Sequence, residues 1–301
     1  MKSRVITTDS GKKFTKGTSN GINISRFESK LDILDKADYS YKNMIELDDS
    51  YYLLGSEAST VSYDSTKEIM LHKLSVYYNV CQHVREFGEE VNLVVNMPIT
   101  HFMDVEQRER FRSFILDEQE IDMRIGNKSY YFYIKDVLPI AEGTGIIFSR
   151  PELFKDKNVI VCNLGGLNST CLQVANKKVV RATPPFLTNN GGNILEADIR
   201  TELNKNGRYN FQHHEIQYLF KSEKPYIKDV IKYCSEKLLD SVITDMKSRN
   251  YNVEGCENVI FEGGTSLRLQ NVIEDRGFTV VEDPINADII GAHLYGVKKF
   301  G

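Results

Sequence analysis

Tryptophan is absent from this 301-residue chain, so the aromatic volume of any core comes from 16 tyrosines and 15 phenylalanines. Cysteine is sparse and scattered, and Cys81, Cys162, Cys171, Cys234 and Cys256 include no C-x-x-C pair. An odd number of thiols without metal-ligand spacing reads as reduced cysteine in a cytoplasmic protein. No apolar run is long enough to span a bilayer, so no membrane contact is expected. The opening MKSRVITTDS lacks the apolar stretch of a secretory leader. An excess of positive charge is missing too. The 38 basic residues face 42 acidic ones, for a net charge of −4, so direct affinity for DNA phosphates is not expected. A protein partner that itself binds DNA stays compatible with that balance. Solenoid repeats and low-complexity segments are also lacking. The chain is long enough for two α/β domains, each with a sizeable core.

What is present is a series of short apolar runs that end in turns. Residues 5–8 read as a first strand, and residues 23–31 partly alternate as a half-buried strand does. Residues 43–47 and 51–54 flank Asp48-Asp49-Ser50, a hairpin loop. Residues 65–87 carry apolar side chains near a three-four spacing and read as one helix. A buried strand over 91–96 follows, stopped at Met97-Pro98. Then come a charged helix over 104–119 and a strand over 130–138 that ends at Pro139. The second half runs strand 159–162, a hairpin of 171–175 with 178–182, and a helix from about Ile194. Helices over 214–221 and 224–247, a strand 258–261, a helix 267–276, a strand 278–281 and a helix 287–300 complete it. This is an α/β pattern in which both halves open on a strand that runs into a glycine turn.

Three such turns are the candidate chemistry. They lie at Gly11, at Gly165-Gly166 and at Gly263-Gly264. Glycine lets backbone N–H groups approach phosphate oxygens or a purine face with no Cβ in the way. Each turn alone is also ordinary hairpin or cap chemistry. Together, in this order and each after a buried strand, they point to a nucleotide.

The set resembles the nucleotide site of the actin superfamily, which holds actin, Hsp70 and the sugar kinases. Asp9-x-Gly11-x-x-x-x-Lys16 resembles its phosphate-1 hairpin. Asn163-Leu164-Gly165-Gly166 resembles its phosphate-2 motif, Asp-x-Gly-Gly. Phe261-Glu262-Gly263-Gly264-Thr265-Ser266 resembles its adenosine motif. Val94-Val95-Asn96-Met97-Pro98 resembles the entry to the first connecting helix, where bacterial relatives often read Gly-x-Pro. Asn286-Ala287-Asp288-Ile289-Ile290-Gly291-Ala292 resembles the second connecting helix, often Ala-Asn-x-x-Gly. Compact length makes the chain most similar to the bacterial plasmid-segregation actins, the ParM and Alp group.

That resemblance implies a two-domain actin-like (ribonuclease H-like) α/β fold around a central nucleotide cleft. Domain I would hold residues 1–150 and 285–301, with a small insertion subdomain over 30–64, and domain II residues 151–284. It implies ATP, with GTP as the alternative, and Mg²⁺. Asp9 would face the metal through bound water, and Ser10, Gly11, Lys12 and Lys16 would hold phosphate. Asn163, Gly165, Gly166, Leu167 and Asn168 would line the second phosphate turn, and Gly263, Gly264, Thr265 and Ser266 the adenosine turn. Glu142 falls where the group places the residue that orients the attacking water. Filament assembly and a DNA-binding adaptor of the ParR type are implied as partners, with no direct DNA contact. One departure stands out. Asn163 replaces an acid and brings no negative charge, so slow hydrolysis or an unusual cation arrangement is expected, and an Asp at 163 is expected to speed phosphate release. Two other classes compete. A small-molecule kinase of the superfamily would need a carboxylate base, for which Asp104 and Asp136 are available. A cell-shape or phage actin would bind its cargo or membrane directly. No Ser–His–Asp pattern surrounds Ser10, Thr15 or Ser266, and His213-His214 reads as a helix start or surface pair.

Overall fold

The structure, a computed structural model, describes residues 3–301 except Tyr63, Ser65, Asn206 and Arg208. The chain divides into two units, Met1–Arg150 with Asp288–Gly301, and Pro151–Ala287.

The first unit is built on strands β1 (Arg4–Ser10), β2 (Phe14–Thr18), β3 (Ser25–Glu28), β4 (Leu31–Leu34), β5 (Met44–Leu47) and β6 (Ser50–Leu54). Helix α1 (Met70–His83), strand β7 (Glu89–Met97), helices α2 (Ile99–Phe102) and α3 (Val105–Leu116), strands β8 (Glu120–Ile125) and β9 (Lys128–Ala141), and helix α4 (Ile146–Ser149) follow. They form one nine-stranded sheet in the order β3-β2-β1-β7-β9-β8-β5-β6-β4. Strand β7 lies parallel to both β1 and β9. Its side chains are buried on both faces, which is why it reads as a continuous apolar run rather than an alternating one. Val91, Leu93, Val95 and Met97 join Leu74, Tyr77 and Val80 of α1 and Phe111 and Ile115 of α3 in one core. Val94, one residue out of step, packs instead with Ile140 and with Ala292 of the C-terminal helix. Strands β4, β5 and β6, from the 30–64 segment, extend the same sheet. The hairpin β5–β6 turns through Asp48 and Asp49, both in the left-handed region at φ 50° and 57°, as a two-residue loop matching strand twist requires.

The second unit contains β10 (Asn158–Leu164), β11 (Ser169–Ala175), β12 (Lys178–Val179), β13 (Phe186–Thr188), α5 (Gly192–Asn204), α6 (His213–Leu219) and α7 (Pro225–Ser248). β14 (Asn258–Glu262), α8 (Gly264–Arg268), α9 (Gln270–Asp275) and β15 (Thr279–Val280) follow. Helix α10 (Ala287–Phe300) closes the chain and, from Asp288 on, belongs to the first unit. Strand β10 pairs antiparallel with β11 and parallel with β14. Ile160, Cys162 and Leu164 pack on Leu195 and Ile199 of α5 and on Leu238, Leu239 and Val242 of α7. Pro225 at the first position of α7 gives up no hydrogen bond there. All five cysteines are free thiols. No helix among the described residues is long and apolar enough to cross a membrane.

Several boundaries differ from the sequence reading. The helix expected over 65–87 begins only at Met70. Ser65 lies outside the described residues, Thr66 is drawn into a turn by the Asp64 carboxylate at 2.7 Å, and Lys67 is left-handed at φ 61°. Strand β9 does not stop before Pro139 but runs through it. β8 pairs β9 only as far as Tyr133, so beyond it one side of β9 is an edge, where a residue without N–H is tolerated. The single helix expected over 267–276 is broken at Leu269 into α8 and α9, and the second arm of the 171–182 hairpin is only the two residues of β12.

Helix α10 lies close on the sheet because Gly296 has no side chain. A Cβ there would stand 2.2 Å from Val94 Cγ2 and 3.3 Å from Val5 Cγ1. Gly296→Ala should destabilise the protein in urea unfolding by ~1–2 kcal/mol, overpacking outweighing the better helix propensity of alanine.

Candidate functional site

In the first unit, the β1–β2 hairpin pairs Asp9 with Lys16 and Ser10 with Thr15. Its tip needs glycine, since a Cβ on Gly11 would sit 2.7 Å from the Phe14 carbonyl oxygen. The hairpin is held to α1 by Asn79, whose amide donates to Thr8 Oγ1 at 2.7 Å and to the Thr7 carbonyl at 3.3 Å. Gly17 leaves the room, because a Cβ there would lie 1.7 Å from the Asn79 side chain.

On this frame, the Lys16 ammonium lies 3.0 Å from Asp9 Oδ2. A second ammonium, from Lys67, stands 3.8 Å from Asp9 Oδ1 and 2.5 Å from Glu142 Oε1. Lys67 is 1% exposed and also donates to the Asn96 carbonyl at 3.2 Å. Its left-handed backbone is unfavourable for a lysine and persists where surrounding contacts over-determine it. Burial pushes the Asp9 carboxyl up, but Lys16 and Lys67 outweigh it and hold the group below its usual value. Lys12, at the hairpin tip, is pushed down by burial and by Lys67, with Glu142 and Asp64 opposing. Asp9, Lys12, Lys16 and Glu142 therefore converge, and Lys67, which no motif singled out, joins them.

Glu142 sits at the end of β9. Its amide donates to the Met97 carbonyl at 2.9 Å. The loop beyond it is fixed by Asp288 of α10, a buried carboxylate that accepts from Gly145 N at 2.7 Å, Gly143 N at 3.2 Å and Asn96 Nδ2 at 2.8 Å. Burial, reinforced by Asp9, lifts its pKa to about 6 against the pull of those amides and Lys16.

Ser10, expected at the phosphate, has its hydroxyl 2.7 Å from His72 Nδ1, and both side chains are buried. This pair has no signature along the chain, because the two residues come from different elements. Burial, then Lys67, lowers the His72 pKa to about 3, so the ring is neutral at physiological pH and cannot serve there as a charged catalytic acid.

In the second unit, the β10–β11 turn closes with Gly165 N donating to the Asn168 carbonyl at 2.9 Å. Thr265 Oγ1 donates to the Gly165 carbonyl at 2.8 Å, and Gly192 N and Asn193 N donate to the Gly165 and Gly166 carbonyls. Leu167 packs so tightly on Gly191 that a Cβ there would lie 2.5 Å from the Leu167 carbonyl carbon. The two glycine turns expected to share a ligand are thus joined. Gly263 is left-handed at φ 95°, and a Cβ on it would meet the Leu164 carbonyl oxygen at 2.5 Å. Gly264 differs, since a Cβ there would meet nothing within 4 Å. Ser266 Oγ is turned back to the Glu262 carbonyl. Asn163 Nδ2 donates to Glu262 Oε1 at 3.1 Å, and Glu262 is fully buried. A carboxylate thus stands beside Asn163, one residue before the Gly263-Gly264 pair. Asp104 caps α3 by accepting from Gln107 N, and Asp136 is paired with Arg112 at 2.6 Å. His213 opens α6 behind a Gln212–Glu215 capping box.

Residues 7–145 match the family described as the actin like proteins N terminal domain. The whole chain superposes on known actin homologues. The chain has an actin-like fold. The Alp12 filament structure is 26% identical, with a TM-score of 0.74 over 100% of both chains. Ta0583, an archaeal actin homologue solved in complex with ADP, is 14% identical, with a TM-score of 0.76 over 98% of this chain and 99% of that one. A 15-stranded ParM filament from Clostridium botulinum is 14% identical, with a TM-score of 0.76 over 99% of this chain and 100% of that one. Among curated proteins none matches.

Lys67→Met leaves two carboxylates without their shared cation and should cost ~2–4 kcal/mol in urea unfolding, under the fully buried range because both acids keep some water. Lys67→Met combined with Glu142→Gln should recover part of that loss. Asn163→Asp sets a second carboxylate against Glu262. It should lower stability in urea unfolding by ~1–3 kcal/mol.

Proposed function

We propose that this chain is a nucleotide-dependent, filament-forming actin-like ATPase of the plasmid-segregation kind. The observation that carries the reading is the charge cluster at the β1–β2 hairpin. Lys12, Lys16 and Lys67 bring three ammonium groups together with Asp9 and Glu142, as a polyphosphate and its counter-ion require. Gly264 supports it from the other unit. Neither backbone conformation nor packing within the chain calls for glycine there, so an open face suited to a base or ribose is the remaining reason. The ADP complex of Ta0583 and the Alp12 filament support nucleotide binding and assembly in the same fold.

In this reading Ser10, Gly11, Lys12 and Lys16 bind phosphate in the first unit. Asn163, Gly165, Gly166, Leu167 and Asn168 do so in the second, and Gly263, Gly264, Thr265 and Ser266 receive the nucleoside. Glu142 orients the attacking water, its carboxylate held by Lys67. No group of three or more His, Cys, Asp or Glu that could ligate a metal directly occurs among the described residues. Asp9 beside phosphate suits Mg²⁺, which keeps most of its waters and takes one or two carboxylates plus phosphate oxygens. When bound, it would neutralise phosphate charge. ATP is the expected nucleotide, with GTP as the alternative. A ParR-type DNA-binding adaptor would carry the cargo. The kinase reading is disfavoured because Asp104 and Asp136 are engaged in a helix cap and an ion pair.

Sedimentation with ATP, ADP and no nucleotide, with phosphate release followed in parallel, tests the reading. Wild-type protein should pellet with ATP and Mg²⁺ and release phosphate. Gly264→Ala should weaken nucleotide binding by at least ~10-fold, about 1.4 kcal/mol, with Tm unchanged or raised. Protein soluble in every condition that passes phosphate to a sugar would overturn the filament proposal.

A further inference from the structure

We infer that Asp288 is a positioning residue for the hydrolytic step, acting from the C-terminal helix through the main chain of the loop that carries Glu142. The inference rests on the proposed ATPase reading and adds a residue to it.

The reactive carboxylate of Glu142 is restrained at two levels. Its side chain is held by Lys67 at 2.5 Å. Its backbone is held on one side by β7, through the Glu142 N to Met97 O bond of 2.9 Å. On the other side the chain turns through Gly143, left-handed at φ 81°, where no side chain resists displacement. Asp288 stops that turn from moving. Its two oxygens take the amides of Gly143 and Gly145 at 3.2 and 2.7 Å, and Asn96 Nδ2 secures it to β7 at 2.8 Å. The joint is closely built. A Cβ on Gly145 would fall 2.0 Å from the Asp288 carbonyl oxygen, and one on Gly291 would fall 1.7 Å from the Gly145 carbonyl oxygen.

A carboxylate is suited to this task because all three partners are donors, and an ionised carboxyl only accepts. Asp9 on β1 and Lys16 on β2 are the charged groups acting on it. Protonation near pH 6 would set an O–H among three N–H donors and loosen the loop.

The test compares wild type, Asp288→Asn, Glu142→Gln and the double variant by steady-state phosphate release and by hydrogen exchange of the Gly143 and Gly145 amides. Asp288→Asn should speed exchange at those two amides. It should lower kcat ~10- to 100-fold, as a displacement of about 1 Å can, with KM within ~3-fold. It should change kcat little further in the Glu142→Gln background. Wild-type kcat should fall as pH is lowered through about 6, and this decline should be absent in Asp288→Asn. Unchanged amide exchange, or an equal loss of kcat with Glu142 already replaced, would overturn the inference while leaving the ATPase reading intact. Wild-type protein that binds no nucleotide and releases no phosphate would overturn both. Should Asp288→Asn not fold, a wild-type kcat flat from pH 7.5 to 5.5 would overturn it as well.

Discussion

The buried ammonium of Lys67 is the interaction on which the first unit's site depends. Asp9 on β1 and Glu142 after β9 come from strands on opposite sides of β7. Two carboxylates directed at one small volume repel, and in a low-dielectric setting that repulsion would push the strand ends apart or force a proton onto one acid. One cation between them removes the conflict, and its third bond, to the Asn96 carbonyl, ties it to the central strand. The left-handed backbone of Lys67 costs about 1–2 kcal/mol, a strain that the ion pairs offset. A loop residue is thereby as fixed as a core residue.

In the second unit, an amide and a buried acid are matched across two strands. The neighbouring strand supplies Glu262 in register, since β10 and β14 pair Asn163 with Glu262. An amide donating to a buried carboxylate is stable where two carboxylates would not be. The amide at 163 and the acid at 262 therefore suit each other, a match that sequence spacing could not reveal because the residues are far apart along the chain.

Much of the fold was legible because its elements carry strong local signals. β7 and β10 are largely apolar runs, the Asp48-Asp49 loop has turn chemistry, and α7 is a long helix. The glycine turns were legible as well, since tight approach at Gly11 and Gly263 leaves few alternatives. What was not legible is what tertiary packing creates. Lys67 reads as the polar start of a helix over 65–87, and only the fold takes it out of that helix and carries its amine inside. His72 reads as one residue of an amphipathic helix, yet it meets Ser10. Pro139 reads as a strand terminator, and is not one because its outer neighbour ends early. Asp288 lay inside a recognised motif, but its role required knowing which amides face it.

These residues meet at one place, the end of β7. The Asn96 carbonyl holds Lys67, its side-chain amide holds Asp288, and the next carbonyl, of Met97, holds the Glu142 amide. Pro98 then ends the strand. β7 has its last seven residues buried, so the site is referenced to a deeply packed central strand. A site set on the rigid end of a central strand keeps its geometry within fractions of an ångström, whereas loops by themselves would not. That placement accounts for buried polar residues such as Asn96 at positions where an apolar side chain would pack more cheaply. They are retained because each serves a donor or acceptor that the charge cluster needs.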